Sequence, residues 1–516
     1  MFFAPPQRKP STGRRIRQGG IVAPAAIAGD RRRPGAMIGS AAVAKPDRPM
    51  NLETTTEDIA PLAIRLRRHV ADLLRLSAPV VVARAGIMVM AFVDTAMVGR
   101  FSAHELAYLG IGLAPITTVL LTGIGLMMGT LVLTASAFGA ERFTECGAVW
   151  RRSLGYALAL GVAGAVICGF GEPLLAALRQ PPDLAAGGGP VAQVVGLGLA
   201  AQLVFVTTTF FLEGIKRPVP GMVMMIAANV INVFLNWVLI YGHLGFPAMG
   251  ALGSAWATTG VRVFLAVGLV AYVWTMADHT RFGVRMRPAG GWKAWAEQRR
   301  IGFAAGASIG SEAVAFSTAA LFAGHLGVLP AGVFSIALNL LSLVFMVAIG
   351  FGAATSVSVG IAHGRGDYRD LALAGWTGLG LNTAAMAAFG VAFALAPETL
   401  AGLYTTEAAL LAASVPGVSL VAWVLVVDGG QALMANALRG RGETWVPTGM
   451  QAFSYFGVMV PVCWVLAFPV GNGVYGIWQG VLVASVVAMA LLVGRFYWLT
   501  RLDRAEAMLS GAAKRS

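Results

Sequence analysis

Apolar residues in this chain come in long blocks separated by short polar gaps. The blocks fall approximately at 76–98, 107–136, 154–178, 190–212, 220–242 and 250–276. After a long basic gap they resume at 301–325, 331–360, 371–394, 408–438, 445–468 and 475–498. Each is near the roughly 20 residues that a helix needs to span the hydrocarbon core of a bilayer. The pattern predicts an all-α integral membrane protein of about twelve transmembrane helices. Ahead of the first block, Ile64 to Leu76 reads as an amphipathic lead-in with Arg65, Arg67, Arg68 and Arg75 on its polar side.

The gaps alternate in charge. The second, fourth, sixth, eighth and tenth carry 15 basic residues, six of them in 277–300, whereas the other six gaps carry only Arg100 and Arg179. Under the positive-inside rule this places both termini in the cytoplasm. The halves also match at a nearly fixed offset. Gly99, Gly125 and Ala137-Phe138-Gly139 precede Gly324, Gly350 and Ala362-His363-Gly364 by 225 residues. Leu212-Glu213-Gly214 and Gly250 precede Leu438-Arg439-Gly440 and Gly476 by 226. Six helices per repeat return the chain to its starting side. The two lobes are therefore expected to be related by a pseudo-two-fold axis along the membrane normal, as in parallel-repeat transporters, with a cavity between them near the midplane. The predicted organisation is a disordered basic tail over 1–65, an N-lobe over 66–276 and an inter-lobe loop over 277–300. A C-lobe over 301–500 and a C-terminal tail over 501–516 complete it.

Composition agrees. Of the 516 residues, 57% are hydrophobic and 12% charged, and the mean hydropathy is +0.73; soluble proteins carry about 25% charged residues. The net charge of +14 does not indicate nucleic acid, because 14 of the 38 Lys and Arg residues precede residue 76 and most others lie in the gaps. Cys146, Cys168 and Cys463 are scattered and read as small packing residues, not as a disulfide or zinc framework. The N-terminal segment lacks the long apolar core of a secretory signal.

Three acids fall well inside predicted helices: Asp94 in the first, Glu312 in the seventh and Asp428 in the tenth. A charged carboxylate at the bilayer centre costs on the order of 2.5–3.5 kcal/mol even on lenient scales, so acids kept there face a cavity or partner and often bind an ion or proton. The alternative is an acid hydrogen-bonded for packing. Asn232 and Asn236 are spaced to share one face of the fifth helix. Asn339, Gln431 and Asn436 are candidates either for lining the cavity or for bonding neighbouring helices. Arg262 in the sixth helix is costly enough to need a partner and is expected to snorkel or to brace a helix pair, and Arg84, near the basic end of the first, is expected to snorkel. Met222-Val223-Met224-Met225 reads as lipid-facing or packing, and His363 to Asp367 as a plain turn.

The stretch Phe92-Val93-Asp94-Thr95-Ala96-Met97-Val98-Gly99-Arg100 resembles the first-helix signature of the multidrug and toxic compound extrusion (MATE) family. So do Leu433 to Gly442, with Asp428 upstream, and, for the NorM-like branch, the fifth helix from Asn229. The resemblance covers roughly residues 70 to 500. It implies a V-shaped pair of six-helix lobes and Na⁺- or H⁺-driven export of cationic amphipathic drug-like compounds. Asp94 matches the family's N-lobe cation-coupling acid, and Asn232 and Asn236 match its supporting amides. Glu312 and Asp428 match a C-lobe cation-binding pair. Na⁺ sites at Glu312, Asp428 or Asp94 follow from the same resemblance. Some relatives place a tyrosine one turn before the tenth-helix acid, where this chain has Val424.

The chain lacks the GxxxxGK[ST] phosphate loop of a self-contained ATP-driven pump. It also has no HExxH or GxSxG in a suitable context for a hydrolase. An exporter with no cofactor beyond its coupling ion is the leading expectation, acting as a monomer in a bacterial inner membrane. A lipid-linked oligosaccharide flippase is the alternative, although few basic residues, Arg84 and Arg262 among them, lie within the predicted helices to meet a diphosphate. A non-transporting scaffold or receptor gives no reason for three buried acids. Translation is expected to begin at Met37 or Met50, and intact-mass analysis is the check: a mature protein carrying residues 1–49 removes that expectation.

Overall fold

The computed structural model describes residues 62–287 and 291–513. The tail expected over 1–65 therefore lies, except for its last four residues, outside the described residues. Among the described residues the first half forms α1 (Leu62–Phe101), α2 (Ala103–Gly139), α3 (Phe143–Gly169), the short α4 (Gly171–Ala177), α5 (Pro182–Leu197), α6 (Leu199–Gly214), α7 (Val219–Tyr241) and α8 (Gly250–Thr275). The second half forms α9 (Ala296–Leu326), α10 (Val328–Arg365), α11 (Tyr368–Leu395), the short α12 (Pro397–Gly402), α13 (Ala408–Gly440), α14 (Trp445–Ala452), α15 (Val460–Ala467) and α16 (Gly473–Ala513). A π-helical stretch, Phe453–Met459, joins α14 to α15.

Each apolar block is largely or wholly helical, with instructive differences. The lead-in from Ile64 is continuous with the first span, because Leu, Arg and Ala favour helix there and Pro79 is carried within α1. The fourth block is broken, with α5 and α6 meeting at Gly198 with a bend of 40°. The break interrupts the regular carbonyl pairing at the end of α5, where Val195 O accepts from the cap Gly198 N at 3.1 Å. Two side chains of α8 supply donors: Thr259 Oγ1 to Val194 O at 2.8 Å and Arg262 Nη1 to Val195 O at 3.2 Å. Arg262 is thus a brace between spans. Among the described residues ten spans pass on length and apolarity, and the bent pair makes an eleventh. The remaining long helix of the described residues, α9, spans 31 residues but is not apolar enough to qualify, with Glu312 and several Gly and Ser in its apolar part. The expected turn at His363 is helical through Arg365. Gly366 then ends α10 with a left-handed φ of 74°.

The two lobes meet at the end of the molecule that carries the basic loops. One apolar cluster there includes Leu76 and Val80 of α1, Leu131 of α2, and Ala353, Val357 and Ile361 of α10. Towards the other end the lobes have separate cores, around Ile116 and Val195 in the first and Phe334 and Trp478 in the second. The tightest backbone approach obeys the internal repeat. A Cβ on Gly139 would lie 2.1 Å from Ile361 O, and one on Gly364 would lie 2.0 Å from Ser136 O. Residues 136 and 139 precede 361 and 364 by the same 225 positions that relate the halves. The pseudo-two-fold axis therefore passes between α2 and α10 here, and glycine on both sides lets the backbones touch.

Charge reinforces the contact. Asp370, at the start of α11, is buried and accepts from Arg365 Nη2 at 2.8 Å within its own lobe. From α1 it accepts from Arg65 Nη2 at 3.0 Å, and His69 Nε2 lies at 2.8 Å. Gly139→Val or Gly364→Val is expected to force α2 and α10 apart and cost about 1–3 kcal/mol. Thermal unfolding of the purified protein, with Gly155→Val as an open-space control, is the measurement; equal midpoints for all three variants would contradict the seam described.

Candidate functional site

Asp94 lies on α1 about two turns from its far end. Its carboxylate is buried and held by three neutral donors. Asn232 Nδ2 donates to Oδ1 at 3.0 Å, Asn236 Nδ2 donates to the same oxygen at 2.6 Å, and Thr258 Oγ1 donates to Oδ2 at 2.8 Å. The asparagines come from one face of α7, and Asn236 Nδ2 also reaches Asn232 Oδ1 at 3.2 Å. The amide oxygen of Asn236 is buried and has no partner. The sequence-predicted grouping of Asp94, Asn232 and Asn236 is thus present as a contact. Thr258 was not singled out, although a hydroxyl one turn before Arg262 in an apolar helix was the available signal. Arg262 acts electrostatically on Asp94 while its guanidinium is tied to the Val195 carbonyl.

The second lobe holds its acids in a larger polar network. Asp428 Oδ1 accepts from Ser485 Oγ of α16 at 3.1 Å and from Gln431 Nε2 at 3.3 Å. Gln431 Nε2 also donates to the Tyr455 hydroxyl at 3.0 Å, and its Oε1 accepts from Gln451 Nε2 at 2.8 Å. Gln451 Oε1 accepts from Arg439 Nη2 at 3.1 Å, and the same guanidinium nitrogen donates to Ser308 Oγ at 2.8 Å. Glu312 adjoins this network, with Tyr455, Asp428 and Arg439 as its electrostatic neighbours. The phenol absent at Val424 is thus supplied by Tyr455, which sits in the π-helical stretch. Such wide turns re-aim side chains and recur at functional sites.

The other candidates separate. Gln431 belongs to the network. Asn436 donates to Ala432 O of its own helix at 2.9 Å and packs against Gly352 of α10. Asn339 is exposed and donates to Ser335 O, also within its own helix, at 2.9 Å. Among the described residues, no three His, Cys, Asp or Glu side chains are grouped to hold a metal ion. Any Na⁺ here would need amide, hydroxyl and carboxylate oxygens together, and the orphaned Asn236 Oδ1 beside Asp94 is of that kind.

Two charged groups were read differently from the sequence. Arg439 was counted with a basic gap, yet it is buried inside α13. Arg84 was expected to snorkel. Instead it is buried, with Nη2 3.6 Å from Oε1 of Glu213, an acid just past the edge of the predicted fourth span.

Two like helical lobes with a buried, hydrogen-bonded acid in each define an all-α membrane protein of transporter architecture. The MatE family model matches this chain twice, over residues 79–238 and 308–465, once in each half. The chain belongs to that family. It is 40% identical to the probable multidrug resistance protein NorM of Caulobacter vibrioides, across 84% of this chain and 93% of that protein. It is 31% identical to the multidrug resistance protein PmpM of Pseudomonas aeruginosa, across 83% and 91%. In fold it resembles the eukaryotic MATE transporter AtDTX14, with a TM-score of 0.77 at 18% identity over 86% of this chain and 99% of that one. An outward-facing multidrug resistance MATE transporter of the MOP superfamily gives 0.79 at 19% identity, over 86% and 99%.

Removing one partner from a buried charged network leaves the rest unsatisfied and costs about 3–5 kcal/mol, whereas an exposed ion-pair partner contributes about 0–1 kcal/mol. Arg439→Ala is therefore expected to lower the thermal midpoint well below that of Arg142→Ala, whose pair with Glu145 is exposed. Similar midpoints for the two variants would show that the Arg439 network is not a stabilising element.

Proposed function

We propose that this protein is a secondary multidrug exporter. In this reading it exchanges Na⁺ or H⁺ for cationic amphipathic compounds by alternating access of a central cavity. It acts as a monomer, with both termini on the cytoplasmic side of a bacterial inner membrane and with lobes spanning 66–276 and 301–500. The observation that carries the reading is the Asp94 cluster, a buried carboxylate whose hydrogen-bond donors are all neutral. An acid kept only for packing would be better matched by a bonded cation or replaced by an amide. A carboxylate among amides and a hydroxyl can instead release and rebind a proton or small cation without dismantling an ion pair.

The second lobe supports the same reading. Glu312 is influenced by both Asp428 and the Arg439 guanidinium, so the three groups, fully ionised, are one positive charge short of neutrality. A single monovalent ion restores the balance. The basic-loop seam is closed in this structure, and under the proposed orientation that corresponds to a cavity shut from the cytoplasm. The names of the relatives, multidrug resistance proteins, agree with drug-like substrates. Buried acids in both lobes favour positively charged ones.

Ethidium accumulation in pump-deficient bacteria tests this, comparing wild type with Asp94→Asn, Glu312→Gln and Asp428→Asn at matched membrane expression. Wild type is expected to lower accumulation, and each variant to lose about tenfold or more of that efflux. Withdrawal of Na⁺ or addition of a protonophore identifies the coupling ion. A wild type that reaches the membrane and leaves every cationic dye unchanged sinks the reading and favours the flippase.

A further inference from the structure

The Arg84–Glu213 pair is a buried charge pair outside both acid clusters, and its geometry is that of an incompletely used site. Glu213 is 3% exposed and Arg84 9%. Their closest approach, 3.6 Å, is longer than a hydrogen bond, and both Glu213 Oε2 and Arg84 Nε are buried without partners. A guanidinium evolved as a permanent partner for one carboxylate would normally pair with it through two parallel bonds. Here the guanidinium carbon instead lies 5.4 Å from the centroid of Phe210. Phe210 and Glu213 are three residues apart on α6 and so share a face. An acidic edge beside an aromatic face is the combination that recognises a planar organic cation.

The location gives such a cation a route. Glu213 lines a small cavity at the seam, with Leu76 and Val80 of α1 on one side and Ala353, Ala354 and Val357 of α10 on the other. Among those lining side chains Glu213 is the ionisable one. Its cover is in part the second lobe, so parting the lobes at this end would uncover it. Aliphatic walls, one acid and one ring together suit a lipophilic cation and give little to an anion.

We propose that Phe210 and Glu213 form a binding site for planar organic cations of the guanidinium or amidinium class, and that Arg84 fills it as a tethered stand-in while the seam is closed. The site is separate from the Asp94, Glu312 and Asp428 clusters. Its use during export rests on the cation-exporter reading above; its existence does not.

The test uses purified full-length protein. Arg84→Ala empties the site and leaves Glu213 buried and unpaired, so its thermal midpoint should fall. Methylguanidinium should then raise that midpoint by about 2 °C or more, with little effect on wild type. The double variant Arg84→Ala/Glu213→Gln should not respond. In parallel, the diamidine dye DAPI should bind Arg84→Ala about tenfold more tightly than wild type, with the gain lost in the double variant. Arg84→Gln replaces Arg84→Ala where the smaller side chain yields no folded protein. The proposal is overturned if the single variant responds no more than wild type, or if the double variant responds equally. Rescue by methylguanidinium in a protein that exports no dye would sink the export reading and leave the site standing.

Discussion

A carboxylate placed in a membrane helix must be matched by its neighbours, and the arrangement of both lobes follows from that requirement. In the first lobe Asp94 is matched by the amides of α7 and the hydroxyl of α8, so three helices are fixed relative to one another by one side chain. In the second lobe Asp428 is matched through a relay of Ser485, Gln431, Gln451 and Arg439, ending on Ser308, which draws on α9, α13, α14 and α16. Apolar side chains alone cannot order helices in this way, because lipid is as apolar as they are. The buried polar groups specify which helices are neighbours and with what rotation, and the same groups are the ones proposed to hold the coupling ion.

Small residues set the second condition. Gly139 and Gly364 allow α2 and α10 to meet backbone to backbone at the basic-loop end, and Asp370 bridges to Arg65 and His69 beside them. Contact across the lobes is therefore concentrated at one end, while at the other each lobe keeps its own core. Under the alternating access proposed above, the closed end would open and the other end close. The seam combines an apolar cluster shared by α1, α2 and α10 with these close backbone approaches and charges.

What was legible in the sequence was what depends on local composition. Twelve apolar blocks, the alternating loop charge and the offset of about 225 residues are properties of the chain itself, and the fold follows from them. Asp94, Asn232 and Asn236 were legible as a group because helical spacing puts the amides on one face. Thr258, Tyr455 and Gln451 were not, since each reaches its partner from a distant helix and ordinary polar residues of these types are common at helix ends. Arg439 and Glu213 were misplaced for a different reason. Both stand at the edge of an apolar block, where sequence suggests a solvated loop, but the helices run on past the block and carry them into the protein. The break at Gly198 was hidden because glycine is frequent throughout this chain, and only the approach of Arg262 and Thr259 from α8 distinguishes it.

The duplication gives the lobes matching backbones but not matching charge. Glu213 and Arg439 stand at equivalent positions, 226 residues apart, at the ends of the fourth and tenth spans. The first lobe pairs its acid with an arginine on the first helix; the second sets its arginine among the polar groups beside Glu312 on the seventh. The same two helix pairs thus carry opposite signs. A symmetric pair of lobes would treat an incoming cation alike at both sites and would give it no direction within the cavity. Reversed polarity makes the lobes unequal at the seam, where Glu213 is covered by the neighbouring lobe and Arg439 by its own. Separation of the lobes then changes the surroundings of the acid far more than those of the arginine. Under the proposed alternating access, the end that opens would uncover the Arg84–Glu213 pair, while Arg439 stays covered by its own lobe.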